Sequence, residues 1–121
     1  MKSIYNCYIP EDLVRKMLDA GFPLYKYSIG GYDGKPIYYT KDFFDPDWID
    51  CDAYKIPTYT EVLDMLLDGD IVISIEPTDE SKFQYRVHLL KGGETFSGLS
   101  NSFKGAMDKA LFIAINFWIK I

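Results

Sequence analysis

The stretch DGDIVISIEPTDESKFQYRVHLL, residues 68–90, decides the reading of the fold. Ile71, Ile73 and Ile75 alternate with Val72, Ser74 and Glu76. Further on, Phe83, Tyr85, Val87 and Leu89 alternate with Gln84, Arg86 and His88. Successive side chains of a strand point to opposite faces, so each run offers one apolar and one polar row. The pattern predicts two half-buried antiparallel strands joined by the segment PTDESK.

Working outward, Thr58 stands three residues before Glu61, the spacing of a capping box, and Val62, Leu63, Leu66 and Leu67 give the helix that follows one apolar face. Gly69 ends it. Downstream of Gly92-Gly93 a shorter third strand is expected around Glu94 to Phe96, after which Ser100, Asn101 or Ser102 caps a long final helix. The stripe of that helix is Phe103, Met107, Ala110, Leu111, Ala114, Phe117 and Trp118. From Ala110 onward Phe112, Ile113, Ile115 and Ile119 widen it around most of the circumference. Such a helix is either wedged between layers or shared with a second subunit. The favoured cover is the N-terminal helix, through Leu13, Met17 and Leu18. The alternative is a homodimer through the C-terminal helix, meeting Phe112, Ile115 and Ile119 across a two-fold axis.

Toward the N-terminus, Pro10 sits where a first helical turn tolerates it, and Leu13, Val14, Met17 and Leu18 recur at helical spacing. Gly21 closes that helix, with Phe22 as the apolar residue after the cap. In residues 23–40, Tyr25, Tyr27, Tyr38 and Tyr39 flank the turn-rich run Gly30-Gly31-Tyr32-Asp33-Gly34, which reads as an aromatic hairpin. An acidic loop follows. The expected order is α-β-β-loop-α-β-β-(β)-α, an α+β domain spanning residues 1–121 with helices packed on one face of an antiparallel sheet.

Composition bounds function more than it defines it. The chain has 121 residues, 48% hydrophobic and 17% aromatic, which is ample for one core. Its formal charge of −5 disfavours nucleic acid and anionic membranes, both of which call for clustered Lys and Arg. A protein partner is electrostatically easier. Cys7 and Cys51 are too few for a disulfide framework and lie in no metal-binding spacing, so free thiols are expected. The N-terminal MKSIYNCYIPEDL lacks an apolar leader core, and ALFIAINFWIKI falls short of a membrane span, which points to the cytoplasm.

Two resemblances add to this. The block IPTYTEVLDMLLDGDIVISIEP, followed by an aromatic strand and SFKGAMDKALFIAI, resembles small proteins of phages, prophages and gut Bacteroidetes whose activity is unassigned. The matching positions are Pro57, Thr58, Tyr59, Glu61, Val62 and Leu63, then Ala106, Lys109 and Ala110; Met65 stands where that group would have tryptophan. The resemblance implies an origin in a mobile element and no particular chemistry. Residues 58–120 also look like the α-β-β-β-α order of a double-stranded RNA-binding domain. Such domains open their last helix with a Lys-rich turn, whereas SNSFKGAMDK separates Lys104 from Lys109 with Asp108 between.

The most conspicuous candidate site is KDFFDPDWIDCD, residues 41–52, with five aspartates around Phe43, Phe44 and Trp48. As a calcium loop starting at Asp45 it fails, because Ile49, Asp50 and Ile56 occupy positions that call for an oxygen ligand, a glycine and a glutamate. No metal and no cofactor are expected. Phe43, Phe44 and Trp48 instead suit a protein contact with Asp45, Asp47 and Asp50 as its rim. His88, the chain's single histidine, stands on the polar row of its strand. An enzyme using it as general base would need a nucleophile and an orienting carboxylate that no motif marks. Gly30, Gly31 and Gly34 match neither a dinucleotide-binding nor a P-loop spacing. The reading is a small non-catalytic accessory protein of a phage or mobile element; the alternatives are an RNA-binding-like module and a small enzyme.

Overall fold

A computed structural model of the chain describes residues 4–24, 26–28, 37–40 and 52–118. The two alternating runs form β4 (Ile71–Pro77) and β5 (Phe83–Leu89), paired antiparallel with Ile71 opposite Leu89 and Pro77 opposite Phe83. A third strand, β6 (Thr95–Ser100), pairs with the other side of β5, so the sheet order is β4-β5-β6. It runs through Leu99 and Ser100, further than the expected Glu94 to Phe96. Gly98 hides that extension, since it breaks the apolar alternation and stands opposite Tyr85 in the register.

The helix α2 (Tyr59–Asp68) begins with the expected capping box. Thr58 accepts from the Glu61 backbone N–H at 3.3 Å, and the Glu61 carboxylate accepts from the Thr58 backbone N–H at 3.1 Å. Helix α3 (Phe103–Phe117) is capped by Ser102, whose hydroxyl accepts from the Gly105 N–H at 2.9 Å. Near the N-terminus a 3-10 turn (Ile4–Asn6) precedes α1 (Glu11–Asp19). Helix α1 ends in a Schellman motif: the Phe22 N–H donates to the Met17 carbonyl and the Gly21 N–H to that of Leu18, each at 3.0 Å. Gly21 is left-handed at φ 87°, a conformation that costs a glycine little, and Phe22 is buried behind it.

Residues 26–55 correct the sequence reading. The strands β1 (Lys26–Ser28) and β2 (Ile37–Tyr39) form no hairpin with each other. Both flank β3 (Asp52–Lys55), β1 antiparallel to it and β2 parallel. The tyrosine-rich runs announced strands, but pairing is set by contacts remote in sequence, and β3 opens with an aspartate in a run that otherwise reads as loop. Tyr38 and Tyr54 sit opposite each other with ring centroids 6.4 Å apart.

The chain leaves β3 through Pro57, where a short antiparallel bridge ties it to the N-terminus. Ile9 N–H donates to the Pro57 carbonyl and Tyr59 N–H to that of Cys7, each at 3.0 Å. Helix α3 packs across all three strands of the β4-β5-β6 sheet, α2 packs on β4, and α1 packs against α3. One core joins Leu13, Val14 and Met17 of α1, Val62 and Leu66 of α2, Tyr85 and Val87 of β5, and Ala110, Leu111 and Ala114 of α3. This is the α+β architecture expected, with α1 as the cover for α3.

Candidate functional site

The aromatic and acidic residues singled out in the sequence, Phe43, Phe44, Asp45, Asp47, Trp48 and Asp50, lie outside the described residues, as does Cys51. Cys7 is half-buried, and its backbone carbonyl accepts from the Tyr59 N–H. Among the described residues, no three of His, Cys, Asp and Glu gather closely enough to hold a metal ion.

His88 stands on the half-exposed polar row of β5, between Val72 of β4 and Thr95 of β6. Its Nδ1 is 3.1 Å from the Thr95 hydroxyl. Neighbouring rows set Arg86 between Ser74 and Ser97, with its guanidinium 3.7 Å from Glu76 and 3.4 Å from the Gln84 side-chain oxygen. Three other basic residues of this half also have acidic or carbonyl partners. Lys91 is 3.4 Å from Asp70, Lys104 donates to Asp108 at 2.9 Å, and Lys109 donates to the Leu99 carbonyl at 3.3 Å.

A part-buried polar contact links two helices. Tyr59, fully buried at the first turn of α2, donates its hydroxyl to the Asp108 carboxylate of α3 at 2.6 Å, and Lys104 holds the other oxygen. Burial raises the Tyr59 hydroxyl well above a tyrosine's ordinary pKa, and Asp108 pushes the same way by accepting its proton in a hydrogen bond. Sequence reasoning treated Tyr59 as part of a helix-start motif and Asp108 as an interruption between lysines. A tyrosine in a capping box gave no sign of a carboxylate partner 49 residues away.

Two aromatic side chains of α3 stay exposed. Phe112 is 54% exposed, with the Lys16 ammonium of α1 3.9 Å above its ring. Five residues on and about 140° further round the helix, Phe117 stays 38% exposed although it stacks on Phe96 of β6, centroids 4.8 Å apart. Half-buried Ile113 lies next to Phe112 and one turn before Phe117. Ile115, in contrast, is 1% exposed beneath α1, so it is inaccessible to a second helix. Where the C-terminal turns of α1 and α3 meet, an open hollow of about 440 Å³ is lined by Lys16, Asp19, Ala20, Ile115, Asn116 and Trp118. Of these, Trp118 is stacked on Phe22 at 4.1 Å and lies against Gly69.

Comparison with known protein families, with curated proteins and with solved structures finds no match. Among the described residues no helix is long and apolar enough to cross a membrane.

Proposed function

We propose that this chain is a small, non-catalytic, cytoplasmic accessory protein of a phage or mobile element, working through contacts with other proteins. The observation that supports this best is the exposed aromatic character of α3. Phe112, beneath the Lys16 ammonium on the α1 side, and Phe117, stacked on Phe96 on the β6 side, leave two large aromatics accessible on this helix. Aromatic anchors beside charged groups are the composition of protein-contact hot spots. The net charge of −5 adds a preference for a basic partner. Origin in a mobile element rests on the sequence resemblance, carried by Pro57, Thr58, Tyr59 and Glu61, which form the capped start of α2.

The test is an affinity capture from a bacterial host lysate with the wild-type chain and with Phe112→Glu. A partner enriched over the bead control by the wild type and lost from the variant supports the reading. A wild type that enriches nothing, or a partner indifferent to Phe112→Glu, counts against it. The order α2-β4-β5-β6-α3 does match that of a double-stranded RNA-binding domain. The partners of Lys91, Lys104 and Lys109 lower the positive potential such binding needs. A gel shift with duplex RNA at low salt is therefore expected to show no complex.

A further inference from the structure

β6 is last in the strand order β4-β5-β6. Among the described residues no strand pairs with its outer edge. Which backbone groups face outward follows from the ladder. The Leu89 N–H donates to the Glu94 carbonyl at 2.8 Å, so Glu94 and, by alternation, Phe96, Gly98 and Ser100 turn their backbone groups toward β5. The N–H and carbonyl groups of Thr95, Ser97 and Leu99 point away from the sheet. The Lys109 ammonium resting on the Leu99 carbonyl agrees with this.

Edge strands of natural proteins carry features that discourage pairing, such as a proline, an inward or flanking charge, or a bulge. The opposite edge has them, since β4 ends in Glu76 and Pro77. β6 reads TFSGLS, with no charge or proline of its own, and its edge carries a single flanking cation, Lys109 on the Leu99 carbonyl. It is also self-complementary. Turned antiparallel about a two-fold axis through Ser97, the outward groups of Ser97 meet those of Ser97 in a second copy, and Thr95 meets Leu99. On the helix side of the sheet Phe96 then faces Gly98, which has no side chain to obstruct it. Glu94 faces Ser100, on the same side as Lys109. A chain of net charge −5 thus has one edge along which two copies meet without opposing like charges.

We propose that β6 is the interface of a homodimer, in which two copies join edge to edge through Thr95, Ser97 and Leu99 into one continuous antiparallel sheet. The exposed side chain of Leu99 and the Phe96–Phe117 stack flank the seam on its two faces. Lys109 leaves the Leu99 carbonyl, and its ammonium then lies on the side from which Glu94 of the second copy projects. This proposal is independent of whether α3 binds a foreign protein.

Sedimentation equilibrium at high micromolar concentration is expected to give twice the chain mass. Ser97→Lys and Ser97→Glu, on an exposed face, each set like charges across the axis and are expected to raise the dissociation constant at least about tenfold. Mixing the two variants is expected to restore the dimer. Amide hydrogen exchange provides a readout free of any substitution: the Ser97 and Leu99 N–H groups are expected to gain protection as concentration rises. A wild type that stays monomeric with concentration-independent exchange overturns the proposal. So does a dimer indifferent to both Ser97 variants but broken by Phe112→Glu, which would place the interface on α3.

Discussion

Two residues hold more of this structure than their sequence context suggests. Tyr59 is the N-terminal anchor of α2 and bonds across to Asp108, itself held by Lys104. Removing the hydroxyl leaves that carboxylate with its lysine and partial solvent access, so Tyr59→Phe is expected to cost about 1–2 kcal/mol in denaturant unfolding. The cost depends on pH with a definite sign. The folded chain keeps Tyr59 neutral above the ordinary value of 10, whereas the unfolded chain ionises it there. The stabilisation is therefore full below pH 10 and is lost as pH rises beyond it. The gap between wild type and Tyr59→Phe is expected to narrow from pH 9 to pH 11, as read by urea midpoints. Gly98 is the second case. The ring of Tyr85 lies directly over it, and a methyl there would meet the Tyr85 hydroxyl and ring carbons. Gly98→Ala is expected to destabilise by about 1–3 kcal/mol, the range for overpacking a filled core. The double change Gly98→Ala with Tyr85→Leu should recover part of that loss in the same assay.

At the scale of elements, legibility followed how local the determining interactions are. The capping box of α2, the Gly21 stop of α1 and the alternation of β4 and β5 rest on residues within a few positions of each other, and all were readable. A Thr58→Ala change should cost about 1 kcal/mol, since it frees the Glu61 N–H and undoes the box; thermal melts would measure it. What could not be read depends on remote partners. β3 hides in Asp52-Ala53-Tyr54-Lys55 because its strand character comes from the two strands on its flanks. The end of β6 was obscured because Gly98 breaks the apolar row for the sake of Tyr85. The candidate surface divides the same way. An excess of apolar residues on α3 was plain, but which would stay outside was not, because the α1 contact buries Ile115 and leaves Phe112 under a lysine.

For the molecule as a whole, the core draws on both ends of the described chain. Leu13, Val14, Met17 and Phe22 share it with Leu66, Val87 and Leu111. The segment 58–121, although it contains a complete α-β-β-β-α series, would expose the side of α3 that α1 covers. Expressed alone, it is expected to lose near-UV circular dichroism and a sharp melt, while Met17→Ala in the full chain should cost about 2–5 kcal/mol. The bridge between Cys7–Ile9 and Pro57–Tyr59 closes a loop of roughly fifty residues, an entropic cost of roughly 3–4 kcal/mol that must be met before the contacts of α1 repay it. The ladder from β4 to β6 joins neighbours in sequence and bears no such cost. Folding is therefore expected to be nucleated by this ladder with α3, and the clasp of the N-terminus to close after the rate-limiting barrier. In stopped-flow chevrons, Val14→Ala would then speed unfolding with little change in folding rate, while Val87→Ala slows folding; the protein would be assembled from its far end and locked by its beginning.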